Sequence, residues 1–119
     1  MVFQEDRLLP FKTVLENITL FGCKTEDARI LLEKLGLKEY VNRYPSELSG
    51  GMCRRVALAR ALSVDFDFLI LDEPFTGLDQ RNIENVSNLI NEILGDRPLI
   101  LVTHSKAESQ LLNCEIKEL

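Results

Sequence analysis

The chain has 119 residues, 45% of them apolar and 28% charged, with a formal net charge of −5. That length supports one small domain around one core. The acidic balance argues against a protein that coats nucleic acid or an anionic membrane, and no apolar run approaches the roughly 18 residues of a membrane span.

Met1-Val2-Phe3 reads as the end of a strand. It has neither a basic lead-in nor a long apolar stretch, so it is not a secretory signal. Its abrupt start suggests that the chain begins inside a larger domain. Residues 4–7 form a polar turn, and 8–11 an apolar loop closed by Pro10. Thr13 can cap a short helix running to about Leu20, with Val14 and Ile18 on one face. Gly22 breaks it. Thr25 starts a second helix, whose early acids Glu26 and Asp27 suit its positive end. Ala28, Leu31, Leu32 and Leu35 make its apolar stripe, and Gly36 takes the position just past its end.

A short helix or turn follows over 37–44, before Pro45. Ser49 caps a strong helix from about Gly50 to Leu62, with Met52, Val56, Ala59 and Leu62 inward. Residues 66–71 read as a buried strand, mostly apolar and too short for a separate helix. Asp79 caps the next helix, striped by Ile83, Val86, Ile90 and Ile93 and ended by Gly95-Asp96. A second buried strand spans 99–102 and stops at Thr103-His104. A short helix through Leu112 and a weak last strand over 115–119 complete the chain. Strands alternating with helices predict an α/β fold with a parallel sheet. The mostly helical front half suggests a helical subdomain at about 8–62, inserted into an α/β core of 1–7 and 63–119.

Cys23, Cys53 and Cys114 form no C-x-x-C pair, so neither a zinc site nor a disulfide framework is suggested. Reduced thiols fit a cytosolic setting. Arg54, Arg55 and Arg60 form a basic cluster beside the glycine turn, or simply a solvated helix face.

The chemistry gathers at a few places. Ser49-Gly50-Gly51 at a helix start is a physical anion site: glycines let amides approach phosphate, serine adds a donor, and the helix dipole favours negative charge. The plainer reading is a helix cap. Asp72-Glu73 ends a buried strand, where ligands of parallel sheets sit. Adjacent strand residues face opposite ways, so the two acids cannot do the same job. One can bind Mg²⁺, and the other can orient or deprotonate an attacking water. His104 follows a strand to the same edge and could touch a phosphate. Gln4 could touch Mg²⁺ or the water. A phosphate loop of the form G-x-x-x-x-G-K-[ST] is absent from these residues, which contain no Gly-Lys pair. The nearest approach is Gly22-Cys23-Lys24-Thr25, with cysteine where the second glycine would stand.

In chain order, Gln4, Leu48-Ser49-Gly50-Gly51-Met52, Leu69-Ile70-Leu71-Asp72-Glu73-Pro74, Gly77-Leu78-Asp79 and His104 strongly resemble the ATP-binding subunit of ABC transporters. The match runs over essentially the whole chain. Arg55-Val56-Ala57-Leu58-Ala59-Arg60-Ala61-Leu62 also looks like the family's signature helix. The Met52 form of the signature and Phe3-Gln4-Glu5-Asp6-Arg7-Leu8-Leu9-Pro10 look most like importers of nitrate, sulfonate or taurine. The resemblance implies a partial P-loop NTPase fold that uses ATP and Mg²⁺, without the Walker A strand.

It also implies roles. Glu73 would be the catalytic base and Asp72 the Mg²⁺ partner, with His104 on the γ-phosphate and Gln4 the Q-loop glutamine. Ser49, Gly50, Gly51 and the D-loop aspartate Asp79 would serve an ATP held by another subunit of a head-to-tail dimer. Gln4 and the helical region after it would meet membrane-spanning subunits, at the inner face of the cell membrane. In the family's sheet the Walker A strand lies between the switch-histidine strand and the final strand. Strands at 1–3, 66–71 and 99–102 would then be neighbours, with 115–119 across a gap. An open apolar edge invites pairing, so the expectation is a rearranged last strand, self-association or marginal stability. The parent activity would be ATP hydrolysis driving solute import, with this chain inactive by itself. A rival reading is a non-enzymatic module lending its signature motif to another subunit. An SMC-type or DNA-repair ATPase fits less well, because the span from Gln4 to Leu48 has no heptads.

Overall fold

The computed structural model describes residues 2–3, 8–20, 22–72, 74–75, 78–102 and 115–116. The chain divides into two compact units, Glu5–Val64 and Met1–Gln4 with Asp65–Leu119.

The first unit is helical. Thr13 caps α1 (Val14–Thr19) through a reciprocal box: its hydroxyl accepts from the Glu16 N–H at 3.2 Å, and the Glu16 carboxylate accepts from the Thr13 N–H at 3.0 Å. The Thr13 N–H first, and then the Thr13 side chain, hold the Glu16 carboxyl below its ordinary value. α2 (Thr25–Lys34) buries Ala28, Leu31 and Leu32, and Leu35 just beyond its end. Gly36 follows at φ 77°, the left-handed turn a helix end favours. Two 3-10 turns, Lys38–Tyr40 and Pro45–Glu47, lead to α3 (Gly50–Ser63). The expected inward face of α3 was Met52, Val56, Ala59 and Leu62. Met52 is only half-buried, while Ala57, Leu58 and Ala61 are buried as well. The reason is that both α1 and α2 pack on α3, and a helix covered on several sides is apolar nearly all round.

The second unit is a parallel sheet in the order β1 (Val2–Phe3), β2 (Leu69–Asp72), β3 (Leu99–Val102) and β4 (Glu115–Ile116). Parallel neighbours need a crossover, and α4 (Gln80–Leu94) makes the one from β2 to β3. α4 buries Ile83, Val86, Leu89, Ile90 and Leu94. β2 begins at Leu69, not Phe66, because Phe66 is taken up by Arg97 and its carbonyl accepts from that guanidinium at 3.1 Å.

The last strand is rearranged, one of the outcomes expected from the family's missing strand, and no gap separates it from β3. β4 pairs directly with β3, Ile100 opposite Glu115 and Leu101 opposite Ile116. Backbone donors and acceptors left open along β3 are costly, and the last strand satisfies them. The expected helix through Leu112 lies outside the described residues.

Candidate functional site

The glycine turn is shaped before it is reached. In the 3-10 turn Pro45–Glu47, the Glu47 carboxylate accepts from the Tyr44 N–H at 3.1 Å and from Arg43 Nη1 at 3.2 Å. These bonds hold its carboxyl below the ordinary value. The Leu48 N–H then donates to the Pro45 carbonyl at 3.1 Å. Ser49 is extended, at φ −69° and ψ 164°, and its Oγ accepts from the Met52 N–H at 3.2 Å. That is an N-cap bond to the third helical residue.

Further along α3, Cys53 Sγ faces the Pro45 carbonyl at 3.6 Å, and Arg55 Nη1 donates to the Leu35 carbonyl at 3.1 Å. Arg55 therefore serves the C-terminal end of α2 and is half-buried, which corrects the plainer expectation of a solvated face at this residue. The Arg55 Nε is buried and has no acceptor among the described residues.

Ser49 and Gly50 are exposed, and Gly51 is half-buried. The amides of Gly50 and Gly51, in the first turn, have no acceptor within the helix. Amides so placed at the positive end of a helix dipole are of the kind that can hold an anion.

The Gly22-Cys23-Lys24-Thr25 segment is ill suited to a phosphate. It opens α2 without a side-chain cap and carries Glu26 and Asp27 in the first turn, charges that repel phosphate. Burial, with Asp27 alongside, pushes the Cys23 thiol up, and its Sγ donates to the Lys24 carbonyl at 3.5 Å.

In the sheet unit, Asp72 is the last residue of β2 and pairs with Val102 at the end of β3. The strands that precede Gln4, Glu73 and His104 in sequence are parallel neighbours. Gln4, Glu73 and His104 themselves lie outside the described residues. Asp79 caps α4: its Oδ1 accepts from the Asn82 N–H at 2.8 Å. Among the described residues no group of three or more His, Cys, Asp and Glu could hold a metal ion, and no helix is long and apolar enough to cross a membrane.

Two residues that organise these units, Asn17 and Arg97, belong to no motif, and the reach of Arg55 to Leu35 is not signalled by the one it lies in. A polar residue at an inward helical position was the one available signal for Asn17, which lies beside Val14 and Ile18.

The sequence profile of the family described as ABC transporter matches residues 1–76. The aliphatic sulfonates import ATP-binding protein SsuB 1 of Rhodococcus jostii is 44% identical, covering 95% of this chain and 47% of its own length. The taurine import ATP-binding protein TauB of Rhizobium johnstonii is 37% identical, covering 98% of this chain and 48% of its own. Among solved structures, the ATP-binding cassette MJ0796, a dimer in a post-hydrolysis state bound to ADP and Pi, superposes with a TM-score of 0.83 at 29% identity. That match covers 99% of this chain and 56% of the cassette. The chain spans about half the length of the curated relatives it matches. With the glycine turn, the short parallel sheet and these matches in agreement, the chain belongs to the ABC transporter family and has a partial ATP-binding cassette fold.

Proposed function

We propose that this chain carries the signature half of an ATP-binding cassette, and that Ser49, Gly50 and Gly51 bind the γ-phosphate of an ATP held by another subunit in a head-to-tail dimer. The observation that carries this is at Gly50. It opens the 14-residue helix α3, and a Cβ built there meets no heavy atom within 4 Å. No described residue comes close enough to require glycine at this first helical position. Glycine there leaves the first-turn amides open to a group approaching from outside the chain. Ser49 Oγ accepts from Met52 and keeps its hydroxyl proton to donate to a phosphate. Asp79 belongs to the same in-trans contact.

Asp72 would hold Mg²⁺. A carboxylate is a hard oxygen donor, and Mg²⁺ is usually held by one or two carboxylates together with substrate phosphates, so the donor type fits. The bound ion neutralises charge on the phosphates. Glu73 would take a proton from the attacking water, His104 would contact the γ-phosphate, and Gln4 would touch the ion or the water. In the whole cassette these groups would hydrolyse ATP to drive solute import, in an assembly with membrane-spanning subunits at the inner face of the cell membrane. The named relatives favour sulfonate-like solutes. The 119-residue chain, with no Gly-Lys pair, would neither bind MgATP tightly nor turn it over.

Two titrations test this. The chain by itself is expected to show no micromolar MgATP binding. Added to a cassette with an intact phosphate loop, it is expected to slow nucleotide release, and Ser49→Ala is expected to abolish that effect. Micromolar affinity of the chain itself, lost in Asp72→Asn or Glu73→Gln, would overturn the proposal.

A further inference from the structure

β2 reads Leu69-Ile70-Leu71-Asp72 and β3 reads Leu99-Ile100-Leu101-Val102. Leu69, Leu71 and Leu99 are buried, and Ile70 and Ile100 are half-buried. In a sheet of alternating pattern, a one-residue slip moves apolar side chains into water, and that penalty fixes the register. Here almost every position is apolar, as in strands covered on both faces. The hydrophobic pattern therefore discriminates poorly between registers, and a second source of specificity is needed.

Arg97 has the geometry to supply it. Its Nε donates to the Leu94 carbonyl at 3.0 Å, and its Nη2 donates to the Ile93 carbonyl. Both acceptors belong to the last turn of α4. Its Nη1 donates to the Phe66 carbonyl at 3.1 Å, and the guanidinium lies 4.0 Å from the centre of the Phe66 ring. Asp65 stands 4.0 Å from Nη1 as an exposed charge partner. One planar group so joins the end of α4 to the segment leading into β2, from a position two residues before β3. The Leu69 N–H then donates to the Pro98 carbonyl at 3.0 Å, the next tie along. A slip of one residue is a displacement of about 3.3 Å. A rigid fork whose donors are fixed in one plane cannot follow it without losing acceptors.

We propose that Arg97 is a positioning residue that sets the register of β2 against β3, and so fixes Asp72 opposite Val102 at the carboxyl edge of the sheet. The consequence for ATP chemistry rests on the role proposed above for Asp72; the register itself does not.

The test is NMR of the full chain as wild type, Arg97→Lys, Arg97→Met and Phe66→Leu. Amide exchange is read at Leu71 and Leu101, and at Val86 and Ile90 in α4. In Arg97→Lys the protection of the strand amides relative to the α4 amides is expected to fall about tenfold, the scale of a lost hydrogen bond to a charged group. Cross-strand NOEs of a shifted pairing, such as Leu69 with Ile100, are expected to appear. Phe66→Leu keeps the carbonyl acceptor and is expected to keep the wild-type pairing. Arg97→Lys keeps the charge and the stem, so it carries the test if Arg97→Met does not fold. Equal loss of protection in strands and helix, with the wild-type NOE pattern intact, would overturn the proposal. So would a shifted pairing in Phe66→Leu as large as in Arg97→Lys. ATPase measurements do not enter this readout, so a failure of the proposed site roles would be seen separately.

Discussion

Asn17 grips Leu9 by both of its backbone groups: its Oδ1 accepts from the Leu9 N–H at 2.8 Å, and its Nδ2 donates to the Leu9 carbonyl at 3.2 Å. The same Nδ2 reaches the carbonyls of Lys12 and Thr13 at 3.1 and 2.9 Å. Asn17 is fully buried, and this one amide ties Leu9, Lys12 and Thr13 of the loop before α1 together. Asn17→Ala would take the side-chain partner from the part-buried Leu9 N–H and from the Lys12 carbonyl, while the Leu9 and Thr13 carbonyls keep the Lys12 and Asn17 N–H groups. The expected loss is about 3 kcal/mol, read as a lower urea midpoint at unchanged slope.

Gly36 and Gly50 are expected to respond oppositely to alanine. Gly36 has φ 77°, and a Cβ there comes 3.4 Å from Arg55 Nη1. Gly36→Ala is expected to cost about 1–2 kcal/mol. Gly50→Ala meets open space and is expected to change stability by no more than about 0.5 kcal/mol, in either direction. The pair of urea titrations checks both. A large loss in Gly50→Ala would mean that the fold itself needs that glycine.

Removing a cap is a third measurement. Asp79→Ala loses the bond to the Asn82 N–H and is expected to destabilise α4 by about 1 kcal/mol, with Asp79→Asn close to wild type. Ser49→Ala loses the bond to the Met52 N–H and is expected to cost a similar amount, about 1 kcal/mol. Thermal or urea unfolding reads both, independently of any nucleotide.

Acid should loosen the helical unit through two carboxylates. Glu16 and Glu47 are both held below their ordinary value of 4.5, chiefly by backbone N–H donors at Thr13 and Tyr44. A carboxyl lowered by folding adds stability above its unfolded value and loses it as pH falls through the folded one. Stability should therefore decline as pH drops below about 4.5. Both side chains are exposed, so the effect is small and weakens with salt. Unfolding titrations between about pH 6 and pH 3 should show a flatter decline in Glu16→Gln with Glu47→Gln than in wild type.

The local signals in the sequence were reliable where chemistry is local. Thr13, Ser49 and Asp79 each cap the helix their side-chain type suggested, and Gly36 ends α2 where the stripe of Ala28, Leu31, Leu32 and Leu35 runs out. The strand over 99–102 has the expected limits. What escaped was set by distant partners. Arg97 reaches Phe66 across 31 residues, and nothing near Phe66 signals that its carbonyl is taken. Arg55 reaches Leu35 across 20 residues. The place of β4 depends on which strand edge is left to pair, a property of the whole sheet. At the site, the Ser49 turn was readable because a cap and its glycines are contiguous. Asp72 was readable as a strand end, but its partner across the sheet, Val102, was not.

The bonds that shape the Ser49 turn — from Tyr44 to Glu47, Leu48 to Pro45, Cys53 to Pro45 and Arg55 to Leu35 — all begin and end within Glu5–Val64. Each joins residues of one contiguous stretch of chain, so a substitution in the strands removes none of these four bonds.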